Sequence, residues 1–228
     1  MNIHLAKFSS FIYAIPNVLI DLLSPPICAH CKDFVPQRVV FCDSCAIKLE
    51  PVVTIMLPIT ATISVKLCAA AAYKEPIKTL IMAKHWSDEV ASYQLGQLIW
   101  ERTDVKTVAC DYIIPIPLHW TRFAKRGFNQ AEEIAQMLSK NNGKRVVNIL
   151  SRVKKTSFQA GLKSADRIAN VHEAFALKGH DKSLYKDKHL MLVDDLCTTG
   201  STVRAAAKVL LSLKPSSITV VVASRVID

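Results

Sequence analysis

The residues with the clearest chemistry in this chain are two adjacent aspartates, Asp194 and Asp195, and the hydroxyl-rich segment that follows them. That segment contains one glycine and four side-chain hydroxyl groups, in the order Thr198, Thr199, Gly200, Ser201, Thr202. Hydroxyl groups and backbone N–H groups beside a glycine can donate to a phosphate. The carboxylates repel a phosphate, but they can accept hydrogen bonds from the neighbouring hydroxyl groups of a sugar. The segment is therefore predicted to bind a phosphorylated ribose.

The elements on either side of this segment decide whether it can bind such a ligand. Residues 190–193 are all apolar, which is typical of a strand buried on both faces, and residues 203–211 are predicted to form a helix. We expect the carboxylates just after the strand and the hydroxyl groups at the helix N-terminus, where the helix dipole favours an anion. The alternative is a surface turn that contains these residue types by chance. The sequence has neither a G-x-x-x-x-G-K-[ST] nor a G-x-G-x-x-G phosphate motif.

The strand, acid pair and loop together resemble the signature of the type I phosphoribosyltransferases. The resemblance implies that Asp194 and Asp195 are the catalytic acid pair, which holds the ribose hydroxyls of phosphoribosyl pyrophosphate (PRPP). It implies that residues 198–202 surround the 5-phosphate. It also implies that Mg²⁺ bridges the pyrophosphate and the ribose hydroxyls, with the acid pair nearby.

Four cysteines near the N-terminus form two C-x-x-C pairs separated by ten residues: Cys28, Cys31, Cys42 and Cys45. Four thiolates at this spacing can surround Zn²⁺ tetrahedrally. Two disulfides or a redox pair are the alternatives, and a reducing cytosol disfavours disulfides. With cysteine at all four positions the site has no open place for catalysis, so we predict a structural zinc ion and a bystander role for His30.

Composition limits the class of protein. The 228 residues suffice for one large domain and a small module, and a net charge of +10 favours anionic partners, although an inert basic surface is the alternative. The longest apolar run, residues 11–23, is interrupted by Pro16, Asn17 and Asp21 and is shorter than the ~20 residues of a membrane span. No signal-peptide cleavage site follows it. We therefore expect an amphipathic helix that packs on the protein itself, no membrane span and a cytoplasmic location.

Strands and helices alternate along the second half of the chain, which predicts a parallel sheet. The predicted strands span residues 52–56, 63–71, 112–117, 144–149, 174–177, 190–193 and 218–224. The predicted helices span residues 77–83, 90–100, 129–140 and 203–214, and residues 151–162 are predicted to form a mobile loop. We expect three segments: an N-terminal helix and zinc module (1–50), a connecting hood-like segment (51–110) and a phosphoribosyltransferase-like domain (111–228).

Further motifs narrow the resemblance to one family. Besides the cysteine pairs and the acid-pair loop, the chain contains Pro-Ile-Pro (115–117), Arg-Gly-Phe-Asn-Gln (126–130), Thr-x-x-Gln (156–159) and Arg-x-x-Asn (167–170). This combination resembles the ComF family, the phosphoribosyltransferase-like proteins of bacterial natural competence. The resemblance covers residues 28–223. It implies an α/β fold with a type I phosphoribosyltransferase-like parallel sheet flanked by helices, and a small N-terminal four-cysteine zinc module.

The same resemblance suggests which residues meet the pyrophosphate of PRPP. Residues 117–127 follow the strand at 112–117, and residues 151–162 form the later basic loop. Arg126 and Arg152 belong to these segments and are the predicted PRPP ligands, because a guanidinium can bind a phosphate through two hydrogen bonds.

Two functions of different classes remain open at this stage. One is an active phosphoribosyltransferase that moves phosphoribose from PRPP to a small amine or nucleobase. The other, which the ComF resemblance favours, is a PRPP-binding protein that handles incoming single-stranded DNA with the competence helicase and DNA-processing proteins as partners. Cations and aromatic rings bind single strands, and the candidates here are Lys125, Lys154, Lys155, Phe123, Phe128 and Phe158, although each ring is equally compatible with a place in the core.

Overall fold

The computed structural model describes residues 26–35, 39–83, 89–153, 174–179 and 181–227, and at positions 122, 125 and 126 it describes the backbone only. The strands are β1 (Ile55–Pro58), β2 (Ser64–Ala72), β3 (Tyr112–Pro115), β4 (Arg145–Val146), β5 (Leu150–Arg152), β6 (Phe175–Leu177), β7 (His189–Cys197) and β8 (Ser217–Arg225). The α-helices are α1 (Asp43–Ala46), α2 (Ile77–Ala83), α3 (Glu89–Arg102), α4 (Trp120–Arg126), α5 (Gln130–Asn142) and α6 (Ser201–Leu211).

The main sheet has six strands in the order β1-β2-β8-β7-β3-β4. Strands β2, β8, β7, β3 and β4 run parallel to one another, whereas β1 is antiparallel to β2. The reversal at β1 follows from the short turn that joins it to β2, in which the Ile59 N–H donates to the Ile63 carbonyl. The predicted α/β fold with helices around a sheet is therefore confirmed, but the sheet is mixed and not wholly parallel.

Two apolar cores lie on the two faces of this sheet. Along β7, Met191 and Val193 belong to one core, which also contains residues of α3 and α5. Leu190 and Leu192 belong to the other core, which also contains residues of α6. Because alternate residues of a strand point to opposite faces, β7 must be apolar at every position from Leu190 to Val193. This requirement explains the unbroken apolar run in the sequence.

The acid pair lies inside β7. The sequence pattern predicts a position just after the strand, and that prediction is wrong. The parallel ladder between β7 and β8 continues past the carboxylates to the pair Cys197 and Arg225. The apolar run ends at Val193, but strand pairing continues because β8 extends to the same edge. The end of β7 is therefore determined by its pairing with β8 and not by the hydropathy of its residues.

One further predicted strand is wrong, and one helix was not predicted. Of the strand predicted at residues 144–149, only β4 (Arg145–Val146) is present, and it pairs with β3. Strand β5 begins after this range and pairs antiparallel with β6 in a separate two-stranded sheet. The segment after β3 contains the helix α4, which was not predicted. Gly127 ends α4 in the left-handed conformation (φ 80°), and its N–H donates to the Phe123 carbonyl.

The sheet also crosses the predicted segment boundary between residues 110 and 111. Strand β2 belongs to the middle segment, yet it pairs with β8 through registers such as Cys68 with Val221 and Ala71 with Ser224. The buried Ser224 hydroxyl also donates to the Ala71 carbonyl. Residues on both sides of that boundary thus build one sheet.

The amphipathic helix predicted within residues 1–24 lies outside the described residues, as do residues 154–162 of the predicted mobile loop. Across the ranges that the structure does describe, no helix combines the length and the apolar character that crossing a membrane requires.

Candidate functional site

The acid pair lies at the edge of the sheet where the parallel strands end. Asp194 and Asp195 are both half-buried, and Asp194 is in register with Val222 of β8. On the other side, the Ile116 N–H donates to the Val193 carbonyl, which places the end of β3 beside the acid pair. One oxygen of Asp194 accepts a hydrogen bond from the Asp195 N–H (2.9 Å). The carboxyl edge of a parallel sheet is the usual ligand-binding edge of α/β proteins.

The loop after the acid pair turns sharply into α6. Gly200 has φ 75°, and a Cβ atom there would lie 3.3 Å from Leu57 Cδ1 and 3.2 Å from the guanidinium of Arg204. The left-handed conformation favours glycine here, and a side chain would also require Leu57 and Arg204 to shift by a few tenths of an ångström. The first N–H groups of any helix have no intrahelical acceptor. Here they share a small open pocket with the loop hydroxyls, lined by residues 196–198 and 200–203.

Arg204 is a site residue that sequence reasoning missed. Its Nη1 donates to the Thr199 carbonyl (2.6 Å) and its Nε donates to the Pro58 carbonyl (3.1 Å), so it ties the loop to the end of β1. A signal was present in the sequence. A cation in the first turn of a helix opposes the helix dipole, so an arginine there calls for a compensating partner.

The Arg-Gly-Phe-Asn-Gln motif has a structural role in its described part. Phe128 is buried, and Asn129 is buried with its side-chain N–H donating to the Ile116 carbonyl (3.1 Å). Gly127 ends α4, as described above. The motif thus holds the start of α5 against the end of β3, close to the acid pair. Because Phe128 is buried, it is not available to bind DNA.

The predicted cationic ligands are distributed over several elements. Lys125 and Arg126 lie in α4, where the structure describes only their backbone. Arg152 ends β5 and is half-buried, with its guanidinium 5.3 Å from the centre of the Phe175 ring. Lys154 and Lys155, like Phe158, lie outside the described residues. The structure therefore places α4 at the edge that carries the acid pair and places Arg152 in the small β5–β6 sheet.

The four predicted metal ligands are brought together. The sulfur atoms of Cys28, Cys31, Cys42 and Cys45 all lie within 4.8 Å of one another, and the Cys31 and Cys42 sulfurs are 3.5 Å apart. Tetrahedral zinc with Zn–S bonds of about 2.3 Å needs sulfur atoms about 3.8 Å apart, so small adjustments suffice. The cluster can therefore hold a metal ion such as zinc.

The electrostatic setting of two cysteines agrees with different roles. Burial acts to raise the pKa of the Cys28 thiol, but backbone N–H groups of Cys42, Cys31 and His30 donate to it and lower the pKa to about 6. The lowered pKa favours the thiolate of Cys28, which is the metal-binding form. By contrast, burial raises the pKa of Cys197 to about 11, and the nearby Asp194 carboxylate adds to the effect. Cys197 is a packed thiol and not a nucleophile.

His30 lies next to the cluster and contacts the main body of the protein. Its Nδ1 is 3.5 Å from the Cys45 sulfur, and its Nε2 is 3.6 Å from a carboxylate oxygen of Glu75. With four sulfur atoms already gathered, His30 is placed to orient the Cys45 ligand through Nδ1 while Glu75 contacts Nε2 on the other side of the ring, as outer-sphere partners of metal ligands often do.

Comparison with known proteins agrees with this arrangement. The family model of the phosphoribosyl transferase domain matches residues 123–226, which include β7, the acid pair, the loop and α6. Purine phosphoribosyltransferase from Pyrococcus horikoshii Ot3 superposes on 61% of this chain and 83% of its own, with TM-score 0.33 and 17% identity. An overlap of that degree supports no further conclusion.

Relatives with higher identity are named for competence and for DNA utilization. Competence protein F of Haemophilus influenzae is 31% identical over 200 residues, which are 85% of this chain and 82% of that protein. DNA utilization protein YhgH of Salmonella typhimurium is 29% identical over 197 residues, covering 81% of this chain and 84% of that protein. The match to competence protein F, at 31% identity and across most of both chains, shows that this chain belongs to the ComF family.

Proposed function

We propose that this protein binds PRPP, or a related phosphorylated ribose, and acts in the cytoplasmic handling of incoming single-stranded DNA during natural transformation. The observation that carries the first part is the arrangement at the sheet edge. There, two half-buried carboxylates in β7 precede a hydroxyl-rich loop that opens into the N-terminus of α6. This order of acceptors and donors matches a sugar followed by its phosphate.

The proposed roles follow from the chemistry of each group. Asp194 and Asp195 accept hydrogen bonds from the ribose hydroxyls, while the hydroxyls of residues 198–202 and the first N–H groups of α6 donate to the 5-phosphate. Arg126 and Arg152 are the proposed partners of the pyrophosphate. Mg²⁺, when bound with PRPP, would neutralise part of the pyrophosphate charge next to the acid pair.

We further propose that the resident ion of the cysteine cluster is zinc and that its role is structural. Four sulfur ligands in a tetrahedral set favour zinc over the hard, oxygen-preferring ions. The cluster is continuous with one of the two cores, because Val40, Phe41 and Leu49 are buried together with residues of α2 and α3.

Arg204 gives a first test of the phosphate loop. Arg204→Met keeps most of the aliphatic stem but removes the donors to the Thr199 and Pro58 carbonyls. The loop should then be less well ordered, and we expect PRPP to bind about fivefold more weakly, a loss of about 1 kcal/mol. Isothermal titration calorimetry measures this change. Lys208→Met, at an exposed position of the same helix, removes the same charge and should bind PRPP as the wild type does. Equal affinities of all three proteins would contradict the role of Arg204.

The second part of the proposal concerns DNA, and it is supported by the names of the relatives and by the net charge of +10. Lys125, Lys154 and Lys155 are the proposed contacts to the phosphate backbone. The competence helicase and DNA-processing proteins are the proposed partners in the cell.

The acid pair is intact, so transfer of phosphoribose from PRPP to a small amine or nucleobase is the second candidate function. Release of pyrophosphate when candidate acceptors are added would establish it.

Binding of single-stranded DNA should depend steeply on salt, because each lysine–phosphate contact releases a counterion. The double variant Lys154→Gln/Lys155→Gln should reduce the slope of log K against log[salt] by about 1 to 1.5, given ~0.7 per contact on single strands. Fluorescence anisotropy of a labelled oligonucleotide at several salt concentrations measures the slope. Lys182→Gln/Lys186→Gln, at two exposed positions near the opposite end of β7, is the charge-matched control. A slope that changes equally in both variants would show that net charge acts and that these two lysines do not.

One experiment tests both parts of the proposal. Wild-type protein is titrated with PRPP and Mg²⁺, and separately with a single-stranded oligonucleotide at low salt. Saturable heat in both titrations is the expected result. Absence of PRPP binding removes the phosphoribose assignment, whereas absence of DNA binding at low salt removes the DNA-handling assignment.

A further inference from the structure

Two aromatic side chains on α4 are exposed to solvent. Trp120 is 71% exposed and Phe123 is 48% exposed. Residues three apart in a helix lie on the same face, so the two rings form one apolar surface. Large aromatic side chains exposed as a group commonly mark an interaction site, whereas a single exposed apolar residue is unremarkable. This surface is called the α4 aromatic face below.

The α4 aromatic face lies at the edge of the sheet that carries the acid pair. Helix α4 begins five residues after Pro115, which is in register with Val193 of β7. The buried His119 side chain caps the helix by accepting from the Thr121 N–H, and the His119 and Trp120 rings are 5.9 Å apart. The rings are therefore presented from an ordered helix beside the proposed phosphoribose site.

The charge of the helix indicates what kind of partner this face suits. Three of the seven residues of α4 are cationic by type, at positions 122, 125 and 126, and none is acidic. Rings interleaved with cations suit a ligand that has flat bases and a phosphate backbone. An apolar face for a protein partner needs no such density of one charge.

We propose that Trp120 and Phe123 form a base-stacking platform for single-stranded DNA, beside the acid pair. This inference rests on the proposed DNA-handling function and deepens it by naming the residues that contact the bases. Stacking accepts any base because every base has a π face, so the platform would bind strands without regard to sequence. Lysines that contact only phosphates would not distinguish a normal strand from one without bases.

The test compares a labelled oligo(dT) strand with an abasic strand of the same length, so that the two differ in bases and not in backbone charge. Fluorescence anisotropy should show that the wild-type protein prefers oligo(dT) roughly 5- to 100-fold, as expected for stacking of one or two bases. Trp120→Leu should lose most of this preference and keep its affinity for the abasic strand. Trp120→Phe should keep part of it, and Phe123→Leu should show an intermediate loss. Phe34→Leu, at a ring that is 67% exposed on the cysteine module, is the matched control and should behave as the wild type does.

The outcomes separate this inference from the proposed function. If the wild-type protein binds neither strand at low salt, the DNA-handling function and the platform both fail. If it binds both strands equally, or if Trp120→Leu and Phe123→Leu both retain the preference for oligo(dT), the platform alone fails and backbone binding stands. Thermal unfolding of each variant checks folding, and Trp120→Phe, which keeps a ring, decides the matter should Trp120→Leu unfold. The proposal is supported if the preference for oligo(dT) falls in both Trp120→Leu and Phe123→Leu while the affinity for the abasic strand is unchanged.

Discussion

Cys42→Ser is expected to abolish stoichiometric metal binding and to unfold the cysteine module. Cys42 lies 3.5 Å from the Cys31 sulfur, and its carbonyl accepts the N–H groups of Cys45 and Ala46 that begin α1. Structural zinc binds zinc-finger peptides with apparent free energies of about 10–16 kcal/mol, so the loss of one thiolate should have a larger effect than any other single change considered for this chain. The wild-type protein should contain about one zinc per chain by elemental analysis, and the variant should contain less than a tenth of that amount.

Amide hydrogen exchange should show which residues unfold in Cys42→Ser. Amide protection is expected to fall first between residues 26 and 50, while β7 and β8 in the centre of the sheet keep theirs. Cys68→Ser is the matched control, because Cys68 is a buried cysteine outside the cluster and its loss should leave the zinc content unchanged. Wild-type protein that contains no zinc and has the four thiols in disulfides would refute the metal assignment.

Asp195→Asn is expected to weaken PRPP binding by roughly tenfold to a hundredfold. The substitution keeps size and shape but replaces a charge-assisted hydrogen bond to a ribose hydroxyl by a neutral one, at a cost on the order of 1.5–3 kcal/mol. Inorganic phosphate should bind the variant as well as it binds the wild type, because the loop and α6 are unchanged and no sugar hydroxyl is involved. Asp194→Asn should act in the same direction. Calorimetric titration with both ligands measures the two effects separately.

Asp187→Asn is the control for this experiment. Asp187 is exposed just before β7, at the opposite end of the strand, and its φ of 57° is one that asparagine also tolerates. The same change in net charge there should leave PRPP affinity unaltered. If Asp195→Asn binds PRPP as the wild type does, the acid pair is not the ribose contact. In that case the site would reduce to a loop that binds phosphate alone, and a role in binding the DNA backbone would gain support.

The sequence by itself determined the features that depend on local patterns. An unbroken apolar run predicted the buried half of β7, and apolar residues at helical spacing predicted α2 at residues 77–83, where the structure has it. The spacing of two cysteine pairs predicted a cluster of four sulfur atoms, because each pair needs only a short turn to bring its thiols together. The family and its phosphoribosyl transferase domain were likewise recognisable from motifs that are short and contiguous.

Pairing between distant strands was decided only by the tertiary structure. Nothing local to β2 indicates that its neighbour is β8, more than a hundred residues later, and this pairing extends the sheet across the predicted boundary at residue 110. In the same way, pairing with β8 extends β7 beyond its apolar residues, so that Asp194 and Asp195 lie within the strand. The partner of a strand and the residue at which pairing ends depend on residues distant in sequence, so the hydropathy of one strand does not specify them.

The contacts that shape the site are long-range for the same reason. Arg204 donates to the carbonyl of Pro58, a residue far away in sequence, and Leu57 limits the space at Gly200. The sequence showed an arginine in the first turn of a helix and a glycine before it, but not what either one meets. Likewise, it offered Phe123 and Phe128 as equivalent rings, and only packing distinguished the exposed Phe123 from the buried Phe128. Residue types define the chemistry that is available, whereas burial and close contact depend on which elements fold against one another.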